Sequence, residues 1–252
     1  MVQRFIRGII VPALAIAVWE AASRTGILKL EFLSRPSDIL AAGIDGLRDG
    51  SILLATAQTF EAAALGLAIA VVAGVLAGTI LGLSRPIERT VGPTIEALRP
   101  IPAVAFIPLT LLLFGFGLPM EGTVVAYACV WPILIATVAA VRGIEPRLLE
   151  VAQALELSFA ERMRKIILPA ALGRINVGVR VAVGFALVVA VTGEIVVNPR
   201  GLGYSLIVAQ QSLRIDLMYA QLLWLSILGY TVNALLRTVR TSEPDLQAGR
   251  AA

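Results

Sequence analysis

The chain carries 17 acidic and 21 basic side chains, no histidine, and a single cysteine, Cys129. That inventory removes whole classes of chemistry. Imidazole general bases, imidazole proton relays and histidine zinc sites all need a residue the chain lacks, so no metal site and no catalytic residue is expected. One cysteine cannot close an intrachain disulfide, and its place inside an apolar run marks Cys129 as a small filler. No glycine-rich loop ends in Gly-Lys-Ser or Gly-Lys-Thr, so nothing in the sequence is built to cradle nucleotide phosphates. What remains is a set of charges and helix breakers in unusual surroundings. Arg99 is followed by Pro100 and Pro102, and Glu194 sits late in an apolar run with Gly201, Gly203 and Tyr204 beyond it. A polar segment holds Leu148, Glu150, Val151, Ala152, Leu155 and Glu156, then Ile166, Leu168 and Pro169.

An apolar frame must position these residues. Hydrophobic residues make up 58% of the 252 positions and charged residues 15%, with a mean hydropathy of +0.87. Soluble domains hold roughly 45–50% apolar and about 25% charged residues. An excess this large cannot hide in one core, so most of the outside must face lipid. A helix rising about 1.5 Å per residue needs about 20 apolar residues to cross a core of roughly 30 Å. Six stretches qualify: about Ile6–Ala22, Phe60–Leu83, Val104–Gly117, Gly122–Val141, Ile175–Val197 and Leu217–Leu236. The expected fold is all-α: one polytopic domain over residues 1–252 with about six transmembrane helices. The third span, interrupted upstream by Pro100, Pro102 and Pro108, is expected to begin nearer Pro93. The first has the flanks of a signal peptide, with Arg4 and Arg7 before it and Ala21-Ala22-Ser23 after it, but is expected to be retained.

Loop charge sets the orientation. Placing both termini in the cytoplasm puts fifteen basic residues inside, among them Arg4, Arg7, Arg85, Arg142, Arg174, Arg237, Arg240 and Arg250. Six, including Lys29, Arg200 and Arg214, then lie outside. The net charge of +4 is accounted for by these loops, so no nucleic-acid partner is expected.

Several residues admit two readings. Gly66, Ala70, Gly74, Gly78 and Gly82 recur every four positions, a small-residue stripe that lets another helix approach closely. That helix is either in the same chain or in a second copy. Glu194 either reaches interfacial water or serves a dimer interface or outer gate, and Glu61 reads as interfacial. Arg99 either snorkels to the cytoplasmic headgroups or favours anions at the inner mouth of a pathway. Gly201 and Gly203 suit a turn, with Tyr204 as an interfacial anchor or part of a gate.

The loop at roughly 142–174 is too polar to span and too patterned for a linker. Pro146 suits a first helical position. Leu148, Val151 or Ala152, Leu155 and Phe159 recur at helical spacing. Such a helix lies on lipid or in another protein's groove, and Glu150, Glu156 and Glu161 favour the groove because anionic lipid would repel them.

Glu150-Val151-Ala152 followed by Ile166, Leu168 and Pro169 resembles the EAA loop of ABC importer permeases. Two departures stand out: Val151 at the second position, and Glu156 where that family has a glycine at the bend between two coupling helices. Pro36-Ser37, Leu98-Arg99-Pro100-Ile101-Pro102, Phe114-Gly115-Phe116-Gly117, Gly193-Glu194 and Gly201-Leu202-Gly203-Tyr204 look like the nitrate/sulfonate/taurine/bicarbonate-type members of the binding-protein-dependent inner-membrane component family. The resemblance implies a transport subunit of the cell inner membrane, working with a second permease copy, two cytoplasmic ATP-binding subunits, an external solute-binding protein and membrane lipid. It implies no cofactor in this chain, with ATP and Mg bound by the partner ATPase, and a small anion as cargo. Similar permeases carry thiamine-pyrimidine or other heterocyclic precursors, the alternative cargo. An ion-coupled secondary transporter would show internal repeats and midplane ionisable residues, and a membrane enzyme would need a nucleophile–base pair. Neither pattern is evident in the sequence.

Overall fold

A computed structural model describes residues 2–25 and 32–238, with side chains for 10–25 and 32–236. Lys29, Arg240 and Arg250 lie outside the described residues, as do the side chains of Arg4, Arg7 and Arg237. The described chain is helical, with no strand among the described residues. In order come α1 (Val2–Arg24), α2 (Pro36–Arg48), α3 (Ser51–Leu83), α4 (Arg85–Leu98), a 3-10 turn (Ala103–Phe106), α5 (Ile107–Phe114) and α6 (Leu118–Arg142). Then follow α7 (Pro146–Ala154), α8 (Phe159–Arg162), a π-helical turn (Met163–Ile167), α9 (Leu168–Val196), α10 (Gly201–Gln211) and α11 (Ile215–Thr238). Four helical stretches are long and apolar enough to cross a membrane: Ser51–Leu83, Leu118–Arg142, Phe159–Val196 and Ile215–Leu236. The bent pair Arg85–Leu98 and Ala103–Phe114 makes a fifth if it is one crossing.

The core is a bundle of α3, α6 and α9. The small-residue stripe of α3 packs on α6 within the same chain. A Cβ added at Gly74 would meet Ile133 Cγ2 at 2.9 Å, and one at Gly78 would meet Thr137 Cβ at 2.6 Å. At Gly82 it would meet Val141 Cβ at 2.7 Å, and at Gly66 it would collide with Val125. Ala70 is fully buried among them. The partner numbers rise together, so α3 and α6 run parallel. On the other side of α6, Gly178 of α9 packs on Ala136, and Cys129 donates its thiol hydrogen to the Ala182 carbonyl at 3.3 Å. Here the numbers run oppositely, and α9 is antiparallel to both.

Parallel neighbours impose a topological demand. The chain leaves α3 at Leu83 beside Val141 and must re-enter α6 at Leu118, at the opposite end of the bundle. The segment 84–117 therefore crosses back. It does so as a broken element: α4 and the Ala103–Phe114 stretch meet at 89°. The break falls at Arg99–Pro102, where two prolines cannot donate backbone hydrogen bonds, whereas Pro93 is accommodated inside α4. The third span expected at Val104–Gly117 is thus only the second half of a crossing that starts at Arg85. The second span begins at Ser51, earlier than Phe60, so Glu61 sits on a helix flank, where Arg200 pairs with it at 3.3 Å.

Because Gly78 faces backbone as well as side chain, Gly78→Leu has no relaxed solution. It should destabilise the bundle by about 1–3 kcal/mol or more. Gly92→Ala on α4, where an added Cβ meets nothing within 4 Å, should leave stability equal or slightly raised. Thermal unfolding in mild detergent distinguishes the two.

Candidate functional site

The segment after α6 builds a compact helical pair. Pro146 occupies the first turn of α7 after an extended Glu145, where its missing N–H costs nothing. At the other end Leu157 N–H donates to Ala152 O at 3.0 Å, and Glu156 N–H donates to Gln153 O at 2.9 Å. This is a Schellman stop, whose next position takes left-handed backbone and normally glycine. Glu156 fills it with φ +49°, so the bend that the family's glycine makes is present despite the glutamate. A non-glycine residue there carries about 1–2 kcal/mol of strain. One residue on, Ser158 and Glu161 form a capping box that starts α8, and Lys165 pairs with Glu161 at 2.8 Å. The π-helical turn then leads into Leu168-Pro169, where the proline removes a donor from a continuous helix.

This pair rests on the bundle end through a few residues only. Ala152 is 0% exposed and Ile167 1%, with Leu149 and Met163 packed beside Ile144 and Ala171. Ile166 and Leu168 are half-buried, while Glu150, Glu156 and Pro169 are exposed. Leu148, Val151 and Leu155 share one face of the helix and its end, all exposed, and Phe159 is 70% exposed. Ile167 and Leu149 were missed from the sequence because each stands one position from a motif residue. Nearby, Arg142 forms an ion pair with Glu88 and donates to the Leu81 carbonyl at 3.2 Å, tying the ends of α3, α4 and α6 together.

The opposite end of the bundle is closed by buried polar groups. Glu194 is 1% exposed, and its Oε2 accepts the Gly203 N–H at 2.8 Å. Gly201 N–H donates to Gln58 Oε1 and Leu202 N–H to Thr59 Oγ1, each at 2.9 Å. Side chains of α3 and α9 thereby satisfy the first N–H groups of α10, the orphan donors of any helix start. Gly201 has φ +86°, and a Cβ on it would collide with the Glu194 carboxylate. A Cβ on Gly203 would lie 2.8 Å from Glu194 Cβ. Asn198, fully buried, accepts the Gly117 N–H at 3.0 Å, and Glu121 is 4% exposed at the start of α6. Neither was singled out from the sequence, although Glu121 stands out as an acid in the first turn of an apolar helix. Tyr204 is 41% exposed on the flank of the same turn.

Between these ends lies Arg99. The carbonyl of Leu98 accepts the Tyr127 hydroxyl at 2.6 Å, which fixes the end of α4 beside the middle turns of α6. Tyr127 is fifteen residues from Arg142, about 22 Å along the helix axis. Arg99 therefore sits part-way along α6, away from its Arg142 end. Its guanidinium makes no ion pair or side-chain hydrogen bond among the described residues. It lines two cavities. One, of about 440 Å³, lies between α4 and α6 and also takes in Glu96 and Arg142. The other, of about 370 Å³, is walled by Tyr127, Trp131, Ile135, Phe185 and the Ile101 turn. Pro100 and Pro102 hold the chain open here: Ile101 N–H reaches Leu98 O and Ala105 N–H reaches Pro102 O, with no helical ladder across the break.

Removing the acceptor for Gly203 should cost more than removing a charge. Glu194→Leu leaves a buried N–H unpaired and should lower stability by about 1–3 kcal/mol, whereas Glu194→Gln keeps an acceptor and should cost less. Melting of the detergent-purified chain tests the order.

The chain is 28% identical to the putative aliphatic sulfonates transport permease protein of Bacillus subtilis, over 92% of this chain and 84% of that protein. It is also 28% identical to the taurine transport system permease protein of Escherichia coli, over 90% of this chain and 85% of that one. Its fold matches a chain in an inward-facing structure of a methionine ABC transporter, with a TM-score of 0.62 and 23% identity, covering 73% of this chain and 92% of that chain. Residues 70–241 match a family profile over most of the bundle, from within α3 through the Arg99–Pro102 break and the exposed helix pair into α11. The chain belongs to the family described as binding-protein-dependent transport system inner membrane component.

Proposed function

We propose that this chain is the membrane-spanning permease of an ATP-driven importer that moves a small anion delivered by a solute-binding protein. The observation that carries the reading is the exposed apolar face of Leu148, Val151 and Leu155, with Phe159 beside it, on a helix pair anchored to the bundle by Ala152 and Ile167. A face of this kind fits a groove in a cytoplasmic ATP-binding subunit. Glu150 and Glu156 at its rim set the charge of the contact. The Schellman bend and the capping box make the pair rigid enough to transmit a push to α6 and α9. ATP and Mg belong to the partner subunits, two of them for a permease that works as a homodimer.

The orientation follows the same logic. With both termini in the cytoplasm, the 142–174 loop and the Arg142–Glu88 tie lie inside, and α2 and α10 lie outside, where the binding protein docks. Sulfonate, taurine, nitrate and bicarbonate are the cargo class, and the unpaired Arg99 favours an anion over an uncharged heterocycle. Alternating access is then a change in how the broken α4–α5 crossing sits against α6.

Val151→Asp and Leu155→Asp place charges on exposed positions, so each chain should fold as before. Each should lose at least about tenfold in ATPase capture, as expected for a charge buried without a partner at an interface. Copurification from cells expressing the whole operon provides the readout. Undiminished capture by both variants would place the docking surface elsewhere.

A further inference from the structure

An ionised side chain halfway through a bilayer is costly unless it faces water, a partner or a cargo. Among the described residues Arg99 forms no ion pair: Glu88 is held by Arg142, and Glu96, which lines the larger cavity with it, makes no ion pair with Arg99. The C-terminal end of α4 offsets part of the charge. However, the Leu98 carbonyl is already taken by Tyr127 and by the Ile101 N–H. The five guanidinium donors are therefore available to the cavities that Arg99 lines. A guanidinium pairs in two-pronged fashion with a planar edge of oxyanion oxygens, which suits a sulfonate or carboxylate head. The rest of the wall is apolar and aromatic. It rewards a hydrocarbon tail and offers a bare, strongly hydrated inorganic anion nothing for its lost water beyond one charged contact. The cavity's volume of about 370 Å³ is within the range of small-ligand pockets. Broken helices near the midplane are also where a membrane protein can expose backbone to a ligand.

We propose that Arg99 and the Tyr127–Trp131 wall form a mid-path binding station for an organic anion with an apolar tail, of the short alkanesulfonate type. The head pairs with Arg99 and the tail lies against Tyr127, Trp131 and Phe185. The proposal rests on the anion-importer reading and narrows it, since it disfavours nitrate and bicarbonate at this station.

The test uses the complete transporter, with its own ATPase and binding protein, in proteoliposomes. Ile101→Cys places a thiol on the cavity wall, while Cys129, buried against Ala182, stays unreactive. Ethanesulfonate at ten times its half-saturating concentration should slow N-ethylmaleimide labelling of position 101 about tenfold by mass action. Nitrate at the same concentration should leave the rate unchanged. Adding Arg99→Gln should abolish the protection, Arg99→Lys should keep part of it, and Arg99→Gln alone should cut ethanesulfonate uptake by about tenfold or more. ATP-driven uptake without protection of position 101, or equal protection by nitrate, overturns the station even if the Arg99→Gln chain fails to assemble. Assembly with the ATPase but no uptake of any anion by the unmodified chain overturns the importer reading instead, and the station with it.

Discussion

Two helices packed in parallel through Gly66, Ala70, Gly74, Gly78 and Gly82 cannot be joined by a short loop. Small residues bring the α3 backbone against α6, gaining dispersion contacts that lipid tails would not supply in the same geometry. The pairing of Gly66 with Val125, Gly74 with Ile133 and Gly82 with Val141 runs α6 parallel to α3, and that direction requires a return crossing between Leu83 and Leu118. The return is where the sequence stops behaving like an ordinary membrane helix. Pro100 and Pro102 interrupt it, Arg99 is left part-way along α6, and the second half is no more than a 3-10 turn and eight residues of α5. The site of greatest functional interest is thus a consequence of packing elsewhere in the bundle.

Both ends of the bundle are fastened by polar groups in defined geometry. At one end, Gln58, Thr59 and Glu194 from two helices satisfy the start of a third, and Gly201 and Gly203 leave room for the carboxylate. At the other, Arg142 joins Glu88 and the Leu81 carbonyl, and Ala152 and Ile167 seat the exposed helix pair. Buried polar groups are costly when unpaired and specific when paired. Between these fastened ends the α4–α5 crossing is the one broken element among the described residues.

The all-α class, the long apolar helices and the amphipathic loop were legible in the sequence because composition and spacing report burial directly. The stripe on α3 was visible, but whether its partner was α6 or a second copy was not, since four-residue spacing identifies a face and not its neighbour. For Arg99 the sequence left a snorkelling side chain and an anion-favouring one both open, because the prolines beside it mark a helix break without saying what it faces. Its place part-way along α6 depends on the Leu98–Tyr127 contact, a relation between residues 29 apart. Glu194 looked like an interfacial or gating acid. Its role as a helix cap rests on where α10 begins, which nothing local to Glu194 announces. Glu156 appeared to threaten the coupling bend, yet the Schellman hydrogen bonds hold it in left-handed backbone regardless.

Cross-linking tests most directly whether residues 84–117 cross back through the bundle. With Leu98→Cys and Tyr127→Cys in a Cys129→Ala background within native membranes, a long flexible bis-maleimide should join the two positions, because Tyr127 reaches the Leu98 carbonyl with the end of its side chain. A direct disulfide, which needs close Cα atoms, is not expected. Cross-linking of position 98 only to cysteines placed near Arg142, and not to position 127, would contradict a return crossing.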